Sequence, residues 1–265
     1  APKRTRLDAC PWFVTMGEAM LRYEPIDEKP PVSATRHLPQ AFLRSLGGDE
    51  LNVAVALALL GVKASWVSVI PIGPMGDVVA ESCKAHGVDF RGLRVDGELG
   101  TFTVLPEEQS VHYQRRHSAF ARHSPSMLEW ERLLSCDTPV QPWLHVTGIT
   151  PLVSPAARKS WDAAIECAKV RQVPISLDLN HRKQLGTLQE LWQMVLPHCE
   201  YLQVLVLSVE QLAGLVELHP TLRDSAASLE ALRSGTCSDD RCIEWMRALQ
   251  PSWKCKRVAV CRKTR

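Results

Sequence analysis

Five short stretches carry side chains that could bind or transform a polar ligand: Gly17-Glu18, Gly47-Gly48-Asp49-Glu50-Leu51-Asn52, Thr147-Gly148-Ile149-Thr150, Asp178-Leu179-Asn180-His181-Arg182 and Ser208-Val209-Glu210. Hydroxyls, carboxylates, an amide and a guanidinium brought to one edge would suit a hydroxyl-rich or anionic ligand. The glycine pair lets backbone come close to a ligand, and the free amides of a helix's first turn favour an oxygen-rich group beside them. Each stretch also has a plainer role. Asp178 could be a turn former, Arg182 a surface cation and Asp49 the N-cap of the following helix. The Gly47-Gly48 turn is not a dinucleotide fingerprint, because the third glycine and a tight preceding strand are absent.

The elements that would position these groups are legible as apolar runs. β-rich runs lie at Trp12 to Met16, Ala64 to Ile70, Trp143 to Val146, Pro174 to Leu179, Leu202 to Leu207 and Arg257 to Val260. Helical patterns fall between them, at Val53 to Leu60, Gly76 to His86, Pro155 to Arg171 and Asp239 to Leu249. Strands alternating with helices predict an α/β fold: an open, mostly parallel sheet joined by right-handed crossovers, with helices on both faces. Ligands of such sheets bind beyond the carboxyl ends of the strands, where the polar stretches fall. Two regions break the rhythm. Leu38 to Leu46, and Thr101 to Leu105 with Val111 to Arg115 around Pro106-Glu107-Glu108-Gln109-Ser110, read as short strands with a hairpin, a small β flap.

Composition excludes several classes. The chain has 265 residues, 45% apolar and 23% charged, which suits a folded globular protein and not a disordered or collagen-like one. A formal charge of +2 leaves no field to steer nucleic acid or an anionic membrane, so a small molecule is the expected partner. The nearly apolar stretch from Val53 to Ile72 imitates a membrane span, but Gly61 divides it into a buried helix and a central strand. Nine cysteines, mostly scattered singly, fit reduced thiols in an intracellular protein. Cys237, Cys242, Cys255 and Cys261 lack the tight Cys-x-x-Cys spacing of common zinc sites, and no metal site is expected. Lys3, Arg4 and Arg6 before Asp8 are equally a linker or a transit-peptide remnant.

Gly47-Gly48-x-x-x-Asn52-Val53-Ala54, followed by Leu59-x-Gly61, resembles the amino-terminal signature of PfkB-type, ribokinase-like carbohydrate kinases. Gly17-Glu18-Ala19-Met20, Ser118-Ala119-Phe120, His145 to Pro151 and Ser176 to Arg182 look like the 2-keto-3-deoxygluconate kinase branch. The likeness runs from Phe13 to about Leu215. It implies a ribokinase-like sheet with a β lid, transferring the γ-phosphoryl group of ATP, with Mg2+, to a hydroxyl of a sugar or sugar acid. Carried over by residue, Gly47, Gly48 and Asn52 would face the sugar, Tyr113 and Arg115 would reach in from the lid, Ile149 would line the pocket, Asn180 would bind the substrate, and Arg182 would bind a substrate carboxylate. Guanidinium grips a carboxylate through two parallel hydrogen bonds. Asp49 stands where the branch usually has alanine, and Phe102 where it has tyrosine. An added acid beside the sugar would weaken binding of an acidic substrate.

The same resemblance shows what is missing. The family's Gly-Ala-Gly-Asp turn supplies an anion hole and the base aspartate, and beyond residue 200 the only glycines are Gly214 and Gly235. The family's Asn-x-x-Glu element aligns with Ser208-Val209-Glu210-Gln211, a degenerate nucleotide and Mg2+ site. Residues 1–265 are therefore expected to be one incomplete kinase domain, with lid strands at roughly 38–46 and 98–116 and a flexible extension at 1–11. The nucleotide-binding part would lie past Arg265. A chain lacking both base and anion hole should be nearly inert. Three readings follow: a truncated sugar kinase, a non-catalytic kinase-like sugar- or partner-binding protein such as a plastid fructokinase-like component, and a bare α/β domain. A cytoplasmic or plastid location and a homodimer paired through the lid complete the expectations.

Overall fold

The computed structural model describes residues 12–26, 41–105, 110–124, 127–135, 141–219 and 238–261. Along the chain these form β1 (Phe13–Met16), β2 (Met20–Pro25), β3 (Phe42–Gly47), α1 (Asp49–Leu59), β4 (Ala64–Pro71), α2 (Pro74–Ala85), β5 (Asp89–Val95), β6 (Gly100–Leu105) and β7 (Ser110–Gln114). There follow α3 (Ala119–Arg122), α4 (Trp130–Leu133), β8 (Trp143–Thr147), α5 (Thr150–Val153), α6 (Pro155–Val170), β9 (Ile175–Asp178), α7 (Leu188–Val195), β10 (Leu202–Ser208), α8 (Val209–Leu218), α9 (Asp239–Trp253) and β11 (Val258–Cys261).

Seven strands make a wholly parallel sheet in the order β11-β10-β9-β8-β1-β4-β5. β4 shows why it forms. Every residue of this strand is buried, and alternate side chains serve opposite faces. Ala64, Trp66 and Ile70 pack with Leu51 and Ala54 of α1 and Val79 and Cys83 of α2. Val67 and Val69 belong to the larger core with Phe120 of α3 and Trp161 and Ile165 of α6. The division of Val53 to Ile72 at Gly61 holds: α1 ends there, Gly61 takes φ +84, and its N–H bonds the Ala58 carbonyl at 2.9 Å. Among the described residues no helix is long and apolar enough to cross a membrane.

The lid is a separate four-stranded sheet, β3-β2-β6-β7, in which two antiparallel pairs join through a parallel β2–β6 contact. The flap predicted from Thr101 to Arg115 is β6 and β7, and the first flap segment holds β3. Residues 38–40, 106–109 and 1–11 lie outside the described residues. Two strands went unread in the sequence. β2 carries Arg22 and Glu24, and β5 alternates charged with apolar residues at the sheet edge, so neither has an unbroken apolar run. The first helix also begins at Asp49 rather than Val53, with Gly48 as its N-cap, so Asp49 is not a capping residue.

From β1 the chain moves outward to β4 and β5, then returns to the other side of β1 at β8. The direction of the connections reverses between β1 and β8, and at the carboxyl ends flanking such a reversal open α/β sheets generally bind their ligands.

Candidate functional site

At that reversal the backbone turns are shaped by close approach. Gly48 has φ +147, and a Cβ there would lie 2.5 Å from the Glu18 carbonyl oxygen. A Cβ on Gly17 would sit 2.0 Å from Oε2 of Glu50. The absence of a side chain at Gly17 thus makes room for a buried carboxyl directly beyond β1.

Glu50, in the first turn of α1, accepts hydrogen bonds at Oε1 from Thr147 Oγ1 at 2.7 Å and Thr150 Oγ1 at 3.0 Å. It ties the start of α1 to the end of β8. Burial pushes its pKa from 4.5 up to about 7 against the pull of the Thr147 hydroxyl, and the neighbouring charge of Asp49 adds to the rise. Near neutrality the Glu50 carboxyl is therefore partly protonated and able to donate as well as accept.

Glu18, just past β1, is the second buried carboxyl. Its Oε2 meets Arg115 Nη2 at 2.5 Å and accepts from Nε at 2.7 Å, while Ser118 Oγ donates to Oε1 at 2.5 Å. Burial raises the Glu18 carboxyl above its ordinary value, opposed by the Arg115 charge and the Ser118 hydrogen bond. Arg115 and Ser118 lie where the chain returns from the lid, and Glu18 where it leaves for it. This ion pair fastens both ends of the lid to the sheet.

Between lid and sheet lies a cavity of about 370 Å³. Gly47, Gly48, Asn52, Tyr113, Arg115, Ile149 and Arg182 all line it, so seven positions expected to face the substrate come together there. Phe102 and Tyr113, cross-strand partners on β6 and β7, stack at 5.7 Å and form an apolar wall. A larger depression of about 660 Å³ adjoins along the β7 edge and shares Tyr113 and Arg115. The smaller cavity is the one onto which the polar strand ends open.

Several expected residues sit differently from their expected roles. Asn180 is not among the lining side chains; it takes φ +39, and its N–H bonds Asp178 Oδ1 at 3.1 Å, a turn role that asparagine tolerates well. Arg115 borders the cavity with its guanidinium already engaged by Glu18. Arg182 Nη2 faces Asp49 Oδ2 at 3.3 Å across the opening. Asp178 is raised by burial, with the Asp49 charge adding to the rise. Ser208 and Gln211 form a capping box at the start of α8: Ser208 Oγ accepts from the Gln211 N–H at 3.1 Å, and Gln211 Oε1 from the Ser208 N–H at 2.8 Å. With those two side chains occupied, exposed Glu210 is the one carboxylate in the Ser208–Gln211 stretch, a poor fit for a Mg2+–nucleotide site. Among the described residues no cluster of three or more His, Cys, Asp or Glu side chains could hold a metal ion.

Glu50 is the functional candidate to which the sequence assigned no role, and Phe102, noted there only as a departure from tyrosine, forms part of the cavity wall. The available signal for Glu50 was an acid at the start of an otherwise apolar helix, facing two threonines three residues apart at the end of an apolar strand.

Comparison with known proteins matches residues 13–231 to the model of the pfkB family of carbohydrate kinases. The chain belongs to this family. It is 27% identical over 178 residues to a 2-dehydro-3-deoxygalactonokinase of Haloferax volcanii, covering 65% of this chain and 53% of that protein. This PfkB chain spans about half the length of the curated relatives it matches. Its fold superposes on 2-dehydro-3-deoxygluconokinase of Thermotoga maritima with a TM-score of 0.77 at 26% identity, covering 94% of this chain and 72% of that one. A fructokinase of Xylella fastidiosa solved with bound ATP shares the fold at 19% identity and a TM-score of 0.66, covering 96% and 73%. The ribokinase-like α/β architecture and the PfkB kinship expected from the sequence both hold.

Proposed function

We propose that this chain is the sugar-binding portion of a PfkB carbohydrate kinase, whose family reaction is ATP-dependent phosphorylation of a sugar or sugar acid of the 2-keto-3-deoxygluconate or fructose type. One observation carries the reading: Gly47, Gly48, Asn52, Tyr113, Arg115, Ile149 and Arg182 line a single cavity of about 370 Å³. That volume lies within the range of small-molecule sites, about 300–1,000 Å³. The Phe102 and Tyr113 wall suits the apolar face of a sugar ring, and Asn52, Asp49 and Glu50 suit its hydroxyls.

Phosphoryl transfer is mostly positioning and charge neutralisation around ATP and Mg2+. These 265 residues hold no Gly-Ala-Gly-Asp run, so for this chain alone the proposal is binding without appreciable turnover. A second reading, a non-catalytic kinase-like protein of a cytoplasmic or plastid assembly, draws support from the Ser208–Gln211 capping box, a helix cap at the position where the family resemblance implies phosphate- and metal-placing side chains. Homodimerisation through the lid is part of the proposal. β3 forms the edge of the described lid sheet and exposes Phe42 and Leu43.

Calorimetric titration with fructose and 2-keto-3-deoxygluconate, beside an ADP-release assay with Mg2+–ATP, tests both readings. Saturable 1:1 binding of either compound supports the sugar site. A folded chain that binds neither overturns it, and sustained ADP release dependent on sugar overturns the non-catalytic reading. Sedimentation equilibrium with Leu43→Arg tests the dimer, which that substitution should dissociate.

A further inference from the structure

Three guanidinium groups line the sugar cavity, and each already faces a carboxylate. Arg22 meets Glu24 at 2.9 Å, Arg115 meets Glu18 at 2.5 Å and Arg182 meets Asp49 at 3.3 Å. The pairs differ in exposure. Glu18 and Arg115 are buried, so that charge balance belongs to the fold and cannot be lent to a ligand without leaving a buried charge unpaired. Arg22 and Glu24 share one lid strand two residues apart and stay together on the same side of it. Arg182 and Asp49 are 39% and 41% exposed, come from sequence positions 133 apart, and both line the cavity.

Of the two half-exposed cations of the cavity, Arg22 on the lid and Arg182 just past β9, Arg182 is the one beside the strand ends of the main sheet, and Asp49 is the group a ligand would have to displace from it. A ligand carboxylate arriving at Arg182 would share the guanidinium with Asp49. It would also approach Glu50 and Asp178, whose ionisation the Asp49 charge already disfavours. Hydroxyls meet no such conflict, since they donate to Asp49 and accept from Arg182 at once. We infer that Asp49 is a specificity-determining residue: paired with Arg182, it converts that end of the cavity from a carboxylate subsite into a neutral, hydroxyl-accepting one. The site accordingly prefers an uncharged polyhydroxylated sugar to a sugar acid.

The inference rests on the sugar-site reading, and its test separates the two. Fructose and 2-keto-3-deoxygluconate are similar in size; the acid carries a carboxylate in place of the C1 hydroxymethyl and lacks the C3 hydroxyl, so the change in their affinity ratio on substituting Asp49 is the decisive reading. Both are titrated calorimetrically into the 265-residue chain and into its Asp49→Ala and Asp49→Asn variants, with folding checked by circular dichroism. The wild-type chain should bind fructose about tenfold or more tighter than the acid. Both variants should gain about tenfold in affinity for the acid, while fructose, which loses the Asp49 carboxylate as a hydrogen-bond acceptor, should bind no tighter, so the fructose-to-acid affinity ratio falls by about tenfold or more. If the wild-type chain binds the acid as tightly as fructose, or if the ratio of affinities is the same in all three proteins, Asp49 does not set specificity, while the sugar site stands. If neither compound binds any of the three folded proteins, the sugar site itself falls and the inference with it.

Discussion

All eight residues of β4 in the main sheet are buried, whereas β3 in the lid leaves four of its six exposed. The main sheet is held by apolar packing on both faces, with Trp161, Leu144, Val146, Leu177 and Leu207 in one continuous core. The lid has a different basis. It is anchored by the Glu18–Arg115–Ser118 cluster at its root, and its inner face presents Phe102, Tyr113, Arg22 and Arg115 to the cavity. An inner face that borders an open cavity is not packed against protein, so the lid lacks the burial that stabilises the sheet. Its order depends on a few specific polar contacts at the root.

Substitutions graded from the main sheet outward would break or sharpen that contrast. Trp161→Ala removes the largest core side chain over β8 together with the bond from its Nε1 to the Thr147 carbonyl. It should destabilise the fold by about 3–5 kcal/mol, read as a fall in the urea midpoint. At the lid root, Arg115→Met leaves the buried Glu18 carboxylate unpaired and should cost about 3 kcal/mol. Hydrogen exchange should then show the added opening concentrated in β2, β6 and β7. A loss spread evenly over both sheets would mean that the lid is not a separate unit.

Glu50 lies where the two regions meet, and its effect depends on pH. Its folded pKa of about 7 is raised above the ordinary 4.5, so the stability linked to the protonated form is present below about 4.5 and lost as pH rises through about 7. Glu50→Gln should abolish this dependence, and by pH 8 it should be more stable than wild type by roughly 2–3 kcal/mol. His145 works in the opposite sense. Burial lowers its pKa from 6.5 to about 4, so the stability it contributes is present above 6.5 and lost as pH falls through about 4. Urea midpoints of wild type and Glu50→Gln compared at each pH cancel the His145 contribution. A constant difference from pH 5 to pH 8 would contradict the assignment to Glu50. The smallest effect is expected at the lid edge, where Leu43→Ser on exposed β3 should change monomer stability by less than about 0.5 kcal/mol.

The runs that became β1, β4, β8, β9 and β10 were legible because a strand buried within the sheet needs uninterrupted apolar residues, and the edge strand β11 because its short Val-Ala-Val run stands out between polar flanks. β2 and β5 escaped because each has a half-exposed side where charged residues are tolerated. The stacked wall of Phe102 and Tyr113 is half legible: the hairpin is written in the alternation of β6 and β7, while the direction of its inner face is not.

By itself the sequence determined the alternation of strands and helices, the glycine turn at Gly47-Gly48, the gathering of polar residues at strand ends and the PfkB kinship. All of these are local patterns of spacing and residue type. The pairings that define the site were decided only by tertiary structure: Glu18 with Arg115 and Glu50 with Thr147, each 97 residues apart, and Arg182 with Asp49, 133 apart. Neither partner's neighbours in sequence mark it for the other. The contact exists because the sheet returns β8 to the side of β1 and the lid folds back over both, and that closure turns three unremarkable acids into two buried carboxyls and a gate on an arginine.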